Sequence, residues 1–291
     1  MPDATRIRYR QIERRDFALV ADLLAKGFPS RPDPNFWLQV LHRLADRAIE
    51  GFPECGYLLE CNDMPAGVIL LIFSRIRTNG ADEIRCNVSS WYVDPVCRPF
   101  ASLFIKKVLQ DPAVTYINVS PAPHTLAMLG AQGYQNYCKG QVVALPFLSR
   151  GAPGGHAAPV TPSLRPDADL SEAEVALLHD HARFGCISLV CTFEGRRYPF
   201  VFRKLRRYGL YGAIPYAHLL YCRSLDDVGP CMGILGRFLL RRGIFLAVID
   251  ADGAIPGVVG RYIQRWPKYF KGPHRPRLGD LAYTELALFD V

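Results

Sequence analysis

Apolar residues in this chain follow two rhythms, and one stretch, Ile84 to Leu109, passes from one to the other. It reads IRCNVSSWYVDPVCRPFASLFIKKVL. Ile84, Cys86, Val88 and Tyr92 fall on alternate positions, with Trp91 and Val93 on the opposite face, which predicts a strand. Asp94-Pro95 stops it, because proline cannot donate to a ladder and stiffens the turn. Phe100, Leu103, Phe104 and Val108 then recur at helical spacing, while Lys106 and Lys107 fall elsewhere on the wheel. Pro99 suits the first helical turn, where a missing N–H costs nothing. A strand that runs into a helix N-terminus leaves unpaired N–H groups and makes an anion site.

The same two rhythms organise the rest. Arg6 to Ile12 reads as an opening strand, Phe17 to Phe28 as a helix capped by Asp16, and Asn35 to Ile49 as a second helix carrying Trp37, Val40, Leu41 and Leu44. A hairpin follows, Gly56–Cys61 and Pro65–Arg77, whose second arm is apolar throughout, as in a strand covered on both faces. Asn79-Gly80 is a turn before the organising strand. After its helix come a short strand (Val114–Ser120), a short helix (His124–Ala131) and a closing strand (Cys138–Leu148). Arg150 to Arg165 is rich in Gly, Pro and Ala without periodicity, and reads as a linker. Beyond it, Ser171 and Glu174 form a capping box ahead of a helix. Strands are expected at Cys186–Glu194, Tyr198–Arg206 and Tyr216–Ser224, then a helix with Met232, Leu235, Phe238 and Leu239, then strands at Ile244–Asp250 and Tyr283–Phe289. This second half repeats the order of the first with its opening strand missing.

Composition narrows the class. The 291 residues are 49% hydrophobic and 21% charged, a globular balance that excludes a disordered chain and favours two domains. The longest apolar run, Met64 to Phe73, is strand-sized, so neither a membrane span nor a membrane partner is expected. The charged start has no apolar stretch, so no secretory signal is expected. Nine scattered cysteines without a CxxC pair favour reduced, buried thiols in a cytoplasmic protein and no metal. A net charge of +8 points to an anionic partner.

The organising stretch resembles the acyl-CoA-binding segment of the GCN5-related N-acetyltransferase (GNAT) superfamily. The family pattern is Val-x-Pro, two residues, Gln or Arg, two residues, Gly, one residue, Gly or Ala. It is matched by Val93, Pro95 and Arg98, with Ala101 and Leu103 at the glycine positions. The element order over residues 4–148 is similar to that family's, and Gly133-Tyr134 stands where a second signature ends in Gly-Phe. The resemblance implies an α/β (α+β) fold of two tandem GNAT-like domains, each a mixed, mostly antiparallel sheet flanked by helices. An acyl-CoA-binding domain over 1–150, a linker over 151–165 and a degenerate second copy over 166–291 are expected. It also implies that the acyl-pantetheine arm slides between strands four and five, which splay apart. The activity implied is transfer of an acetyl or other acyl group from acyl-CoA to an amine, without metal. Tandem relatives include protein N-myristoyltransferases and Fem-type aminoacyltransferases.

Acyl transfer needs a seat for the CoA pyrophosphate, polarisation of the thioester carbonyl, and proton transfers. The first falls to the backbone from Arg98 to Leu103 (Arg98, Pro99, Phe100, Ala101, Ser102, Leu103) with the Arg98 guanidinium. The second falls to a strand-end N–H near Trp91, Tyr92 or Val93. For proton transfer the candidates are Ser120, His124, Tyr134 and Glu83. Many family members place an acidic tyrosine where this chain has Leu129, and some rely on an ordered water instead. Two other readings follow: a non-catalytic binding or regulatory module, motivated by Leu129 and the missing glycines, and a Fem-type aminoacyltransferase. The latter is prompted by net charge and by the basic, aromatic stretch Gly260–Arg277, otherwise read as a substrate-covering loop. Nucleic acid is not the expected partner, and an oligomer is open. Arg196, Arg197, Arg203, Lys204, Arg206 and Arg207 form a basic wall on one hairpin or a solvated edge. His179 and His181 point about 200° apart on a helix and cannot share a metal.

Overall fold

The computed structural model describes residues 6–78, 81–209 and 212–289, so the Asn79-Gly80 turn lies outside the described residues. It contains two compact units. One is Met1–Gln135 with Phe270–Arg275, and the other is Asn136–Tyr269 with Pro276–Val291.

The first unit runs β1 (Ile7–Gln11), α1 (Phe17–Gly27), α2 (Pro34–Ala45), β2 (Gly56–Cys61), β3 (Met64–Thr78), β4 (Ala81–Val93), α3 (Ala101–Val108), β5 (Val114–Asn118), α4 (Leu126–Ala131) and β6 (Gln135–Cys138). α2 starts where the periodicity put it but ends at Ala45, four residues before the expected Ile49. The Asp33 side chain accepts from Asn35 N at 2.9 Å, Pro34 occupies the first turn, and Trp37, Val40, Leu41 and Leu44 are buried. At the start of α1, the Arg10 guanidinium bonds Asp16 at 2.6 Å and Glu60 at 2.6 Å, pinning β1 to its surroundings.

The rest of the chain runs β7 (Gly140–Ala144), β8 (His156–Pro159), α5 (Glu172–Arg183), β9 (Ile187–Phe193), β10 (Arg196–Gly209), β11 (Gly212–Cys222), α6 (Val228–Leu240), β12 (Leu246–Ala251), β13 (Gly260–Ile263), β14 (Lys268–Lys271) and α7 (Glu285–Leu288). The Ser171–Glu174 capping box opens α5 as expected. α6 buries Cys231, Met232, Leu235, Phe238 and Leu239 on one face of the second sheet.

Two seven-stranded sheets result. The first has the order β1-β2-β3-β4-β5-β14-β6, and the second, read from its far edge, β8-β9-β10-β11-β12-β7-β13. The two orders correspond strand for strand, with β4–β5 and β11–β12 as the parallel pairs. Each sheet takes its sixth strand from the other half of the chain.

This exchange corrects several sequence expectations. The first unit's own chain ends near residue 135, not 150. The expected closing strand 138–148 splits, and its β7 portion pairs β12 and β13 in the second sheet. The linker 151–165 contains β8, which pairs β9 and supplies the opening strand that looked missing. His156-Ala-Ala-Pro159 shows no alternation because its side chains are small and it forms an edge. Gly260–Arg277 is no substrate-covering loop: it contributes β13 and β14 to the sheets. Tyr283–Phe289 holds the short helix α7 rather than a strand, with Thr284 Oγ1 donating to Leu281 O at 2.7 Å.

Buried charge marks the exchange region of the second unit. Lys268, 1% exposed, donates to Asp250 Oδ1 at 2.8 Å; Gln141 donates to the same oxygen at 2.9 Å; His218 Nε2 lies 3.5 Å from Asp250 Oδ2. The basic wall is dispersed. Arg203 is buried and donates to the carbonyls of Phe184 and Phe289, and Arg197 pairs with Asp167, leaving Arg196, Lys204 and Arg206 at the surface. His181 is buried, with Nδ1 bonding Leu177 O at 2.8 Å and Nε2 accepting from Tyr283 N at 3.1 Å, while His179 approaches Leu164 O. Seven cysteines are free and buried, as expected, but Cys61 and Cys97 are joined as a disulfide. The pattern hid this pair because its members lie 36 residues apart and meet only through the fold.

Candidate active site

Alternation places β4 in the middle of the first sheet, and its two edges are treated differently. On one side it pairs with β3 all the way to Gly67↔Val93. On the other it pairs with β5 only over Ile84–Asn87, against Val114–Ile117. Beyond Asn87 the parallel strands part, and Asn87 Nδ2 bridges the fork by reaching Val88 O and Ile117 O at 3.2 and 3.4 Å. Near the open end β4 carries a bulge. Ser90 has φ +45°, and Ser90 and Trp91 together face Ile69 between the pairs Leu70↔Ser89 and Val68↔Tyr92.

Strand geometry then fixes a donor. Asp94 N–H donates to Ala66 O on the β3 side at 2.7 Å. Successive N–H groups of a strand point to opposite edges, so the N–H of Val93 faces the open side. The indole Nε1 of Trp91 is also buried, with no hydrogen-bond acceptor among the described residues. Tyr92 turns the other way. Its hydroxyl donates to Asp94 at 2.6 Å, and Lys26 from the end of α1 bonds the same oxygen at 2.6 Å. Partial burial works to raise the Asp94 carboxyl, but Lys26 and Tyr92 hold it below the usual carboxylate range. This Lys26–Tyr92–Asp94 cluster escaped the sequence reading, where Asp94 served only as a strand stop. Its one trace is the i, i+2 spacing of Tyr92 and Asp94.

The turn after β4 differs from the expected loop of free amides. Pro95–Phe100 is a 3-10 turn that leads directly into α3, and Cys97 N and Ala101 N already donate to Asp94 O and Arg98 O. Fewer backbone donors remain for an anion than the motif suggested. Arg98 is exposed and has no ion pair or hydrogen bond among the described residues; Pro99, Ser102 and Leu103 are exposed beside it, with Phe100 and Ala101 half-buried. Leu103 is 62% exposed, so it stands outside the core that its helical spacing suggested, where Ile105 is buried instead.

The proton-transfer candidates do not converge. Ser120 is exposed just past β5, and His124 is exposed in the 3-10 turn Pro123–Thr125. Tyr134 is buried beside Cys86 and Tyr116, and burial pushes its hydroxyl far above the ordinary range, which makes it a core residue. Glu83 lies four residues before the fork, about 13 Å along β4, and faces His274 at 3.5 Å. Leu129 is 4% exposed and offers no proton.

The second unit shows the same fork in a closed state. β11 pairs β12 only over Tyr216–His218 and β10 along its other edge, with a bulge at Leu220. Its own later chain fills the vacated edge: Leu281 N donates to Leu220 O at 2.7 Å, Cys222 N donates to Gly279 O at 2.9 Å, and Tyr221 bridges Asp280. A groove of about 690 Å³ near the start of α6 carries Asp226 and Asp252 with a single arginine, Arg150, a poor match to phosphates. Among the described residues no group of three His, Cys, Asp or Glu side chains could hold a metal, and no helix is long and apolar enough to cross a membrane.

No protein-family model matches the sequence, and no curated protein does. Solved structures are more informative. An assigned acetyltransferase from Pyrococcus horikoshii is similar over 97% of this chain and 95% of its own, with a TM-score of 0.59 at 11% identity. A GCN5-related N-acetyltransferase from Anabaena variabilis is similar over 91% of this chain and 72% of its own, with a TM-score of 0.60 at 11% identity. One from Kribbella flavida matches over 91% and 71%, with a TM-score of 0.53 at 12% identity. The fold is that of the GCN5-related N-acetyltransferases. Of the two parallel-strand forks in this chain, the one between β4 and β5 is open and the one between β11 and β12 is closed.

Proposed function

We propose that the chain moves an acyl group, acetyl or longer, from acyl-CoA to an amine, with the donor in the first unit. The observation that carries this reading is the edge of β4 that β5 leaves beyond Asn87, with the Val93 N–H turned toward it and Arg98 five residues further on. The closed edge of β11 supports the assignment of the donor to the first unit only.

In this reading the acyl-pantetheine arm continues the sheet where β5 leaves it. Arg98 and the Ser102 hydroxyl take the pyrophosphate, with Pro99, Phe100, Ala101 and Leu103 around it. The amine lone pair attacks the thioester carbonyl, a C–N bond forms, and the carbonyl electron pair moves onto oxygen. The Val93 N–H donates to that oxyanion, a task for which a fixed strand donor needs no reorganisation. Collapse breaks the C–S bond, and CoA leaves as the thiolate and takes a proton from water. The ammonium proton passes to solvent, with Ser120 and His124, both exposed beyond the end of β5, as the side chains available to relay it. Trp91 Nε1 is a donor suited to a pantetheine amide. Tyr134 and Glu83 have no part in these steps.

Purified protein incubated with acetyl-CoA and a panel of amines should release CoA, followed by chromatography, only when an acceptor is present. A second reading, a non-catalytic binding module, is favoured by the apolar Leu129 at the position of the acid. CoA binding without any release across the panel would select it. The Fem-type reading rests on the net charge of +8 and on Gly260–Arg277, part of which forms β13 and β14; tRNA binding that is absent or independent of salt would count against it.

A further inference from the structure

Two segments of the second unit contain no Asp or Glu at all, although the whole chain has 27. They are Leu145–Pro166 and Val228–Ile249. They meet where Gly236 of α6 lies so close to the backbone of Pro146 and Phe147 that a Cβ there would overlap it. At this junction large apolar side chains stand out of the protein instead of into it. Phe147, Leu148, Leu240, Phe245 and Val259 are all among the exposed hydrophobic residues. The Phe147 and Phe245 rings touch edge to face, 6.4 Å between centroids; the Val259 backbone is bonded to the same segment, its O accepting from Leu145 N and its N–H donating to Ser149; and Leu240 lies one turn beyond Gly236 on α6. Around them stand the exposed Arg237, Arg241 and Arg242 of α6 and its C-terminal turn. None has an ion pair among the described residues, and Arg242 lies flat over the Phe238 ring at 3.6 Å.

Two phenylalanines and aliphatic side chains, beside arginines that have no ion pair among the described residues and on segments without Asp or Glu, fit one kind of surface best. We infer that this face docks on an anionic lipid bilayer, the exposed rings and leucines entering the headgroup boundary while the arginines meet lipid phosphates. The lipid surface offers apolar and anionic chemistry side by side, which matches exposed rings and leucines with arginines beside them. A second copy of the chain is disfavoured, since the patch would bring its own arginines against each other. The attachment is peripheral and needs no spanning segment, so it departs from the sequence expectation of no membrane partner, which rested on the length of apolar runs; it is independent of whether the first unit transfers acyl groups.

The full-length protein should co-sediment with vesicles of phosphatidylcholine and phosphatidylserine, and should not do so with phosphatidylcholine alone. Added salt should weaken the association. The double substitution Arg241→Ala/Arg242→Ala should weaken it roughly thirtyfold, from about fivefold per basic residue. Phe147→Ser/Phe245→Ser should reduce it at least about tenfold. Both pairs are exposed, so the thermal transition should hold; if the phenylalanine variant unfolds, the arginine variant carries the test alone. Failure of the wild-type protein to bind phosphatidylserine vesicles at low salt, or undiminished binding by the arginine variant, would overturn the inference and assign the face to a protein partner.

Discussion

The Tyr92 ring packs directly on Gly27 at the C-terminal end of α1, where any Cβ would overlap it. This contact aims the Tyr92 hydroxyl at Asp94 and so sets the direction in which the chain leaves β4. Gly27→Ala should therefore displace Tyr92 and destabilise the first unit by about 1–3 kcal/mol. Urea unfolding would check the stability change. Donor affinity should fall in the same variant, because the end of β4 moves with the ring.

Tyr92→Phe keeps the ring on Gly27 and removes only the bond to Asp94. It should cost about 1 kcal/mol of stability and alter donor affinity less than Gly27→Ala does. Calorimetric melting of both variants separates packing from hydrogen bonding. A larger loss for Tyr92→Phe than for Gly27→Ala would contradict the packing argument.

In the second unit, Asp250 and Lys268 are both buried, so each alone would be an uncompensated charge. Lys268→Met should destabilise by about 3–5 kcal/mol, and Asp250→Leu/Lys268→Met should recover much of that loss. A double variant no more stable than the single one would show that the pair is not the source of the effect.

The same pair sets an acid limit. Burial acts to raise the Asp250 carboxyl, but the charges of Lys268 and His218 outweigh it and hold the group below the usual carboxylate range. The sign follows from linkage: a depressed folded value contributes stability above the unfolded value of about 4, and that contribution fades as pH falls toward the folded value. Asp16 behaves alike, with the Arg10 bond as the leading cause. Stability should be flat from neutral pH to about 5 and decline below about 4. Asp250→Asn should show a shallower decline than the wild type in urea titrations across that range.

Local order was well marked in the sequence, and long-range order was not. β4, its stop at Asp94-Pro95 and the Ser171–Glu174 capping box of α5 could be read because each depends on neighbours within a few residues. The fork after Asn87 was expected only through the family likeness, and the bulge at Ser90 has no residue signature, since serine is not a usual bearer of positive φ. β14 joins β5 and β6 from more than a hundred residues away, a pairing that alternation cannot encode. Leu103 was assigned to the wrong side of α3, because helical spacing alone does not say which face of a short helix meets the sheet. Tyr134 shows the limit of chemistry read from residue type: a titratable hydroxyl at a matching motif position is buried in the core.

The central claim is that the open edge of β4 and Arg98 hold a CoA thioester. Isothermal titration of the full chain with CoA and acetyl-CoA tests it most directly, run beside Arg98→Glu, whose side chain is exposed and whose replacement should leave the fold intact. Saturable binding by the wild type, with affinity lowered at least about tenfold in Arg98→Glu by loss of a charge-assisted contact, is the expected result. No heat at millimolar ligand would contradict the claim, and equal affinity in the variant would remove Arg98 from the site.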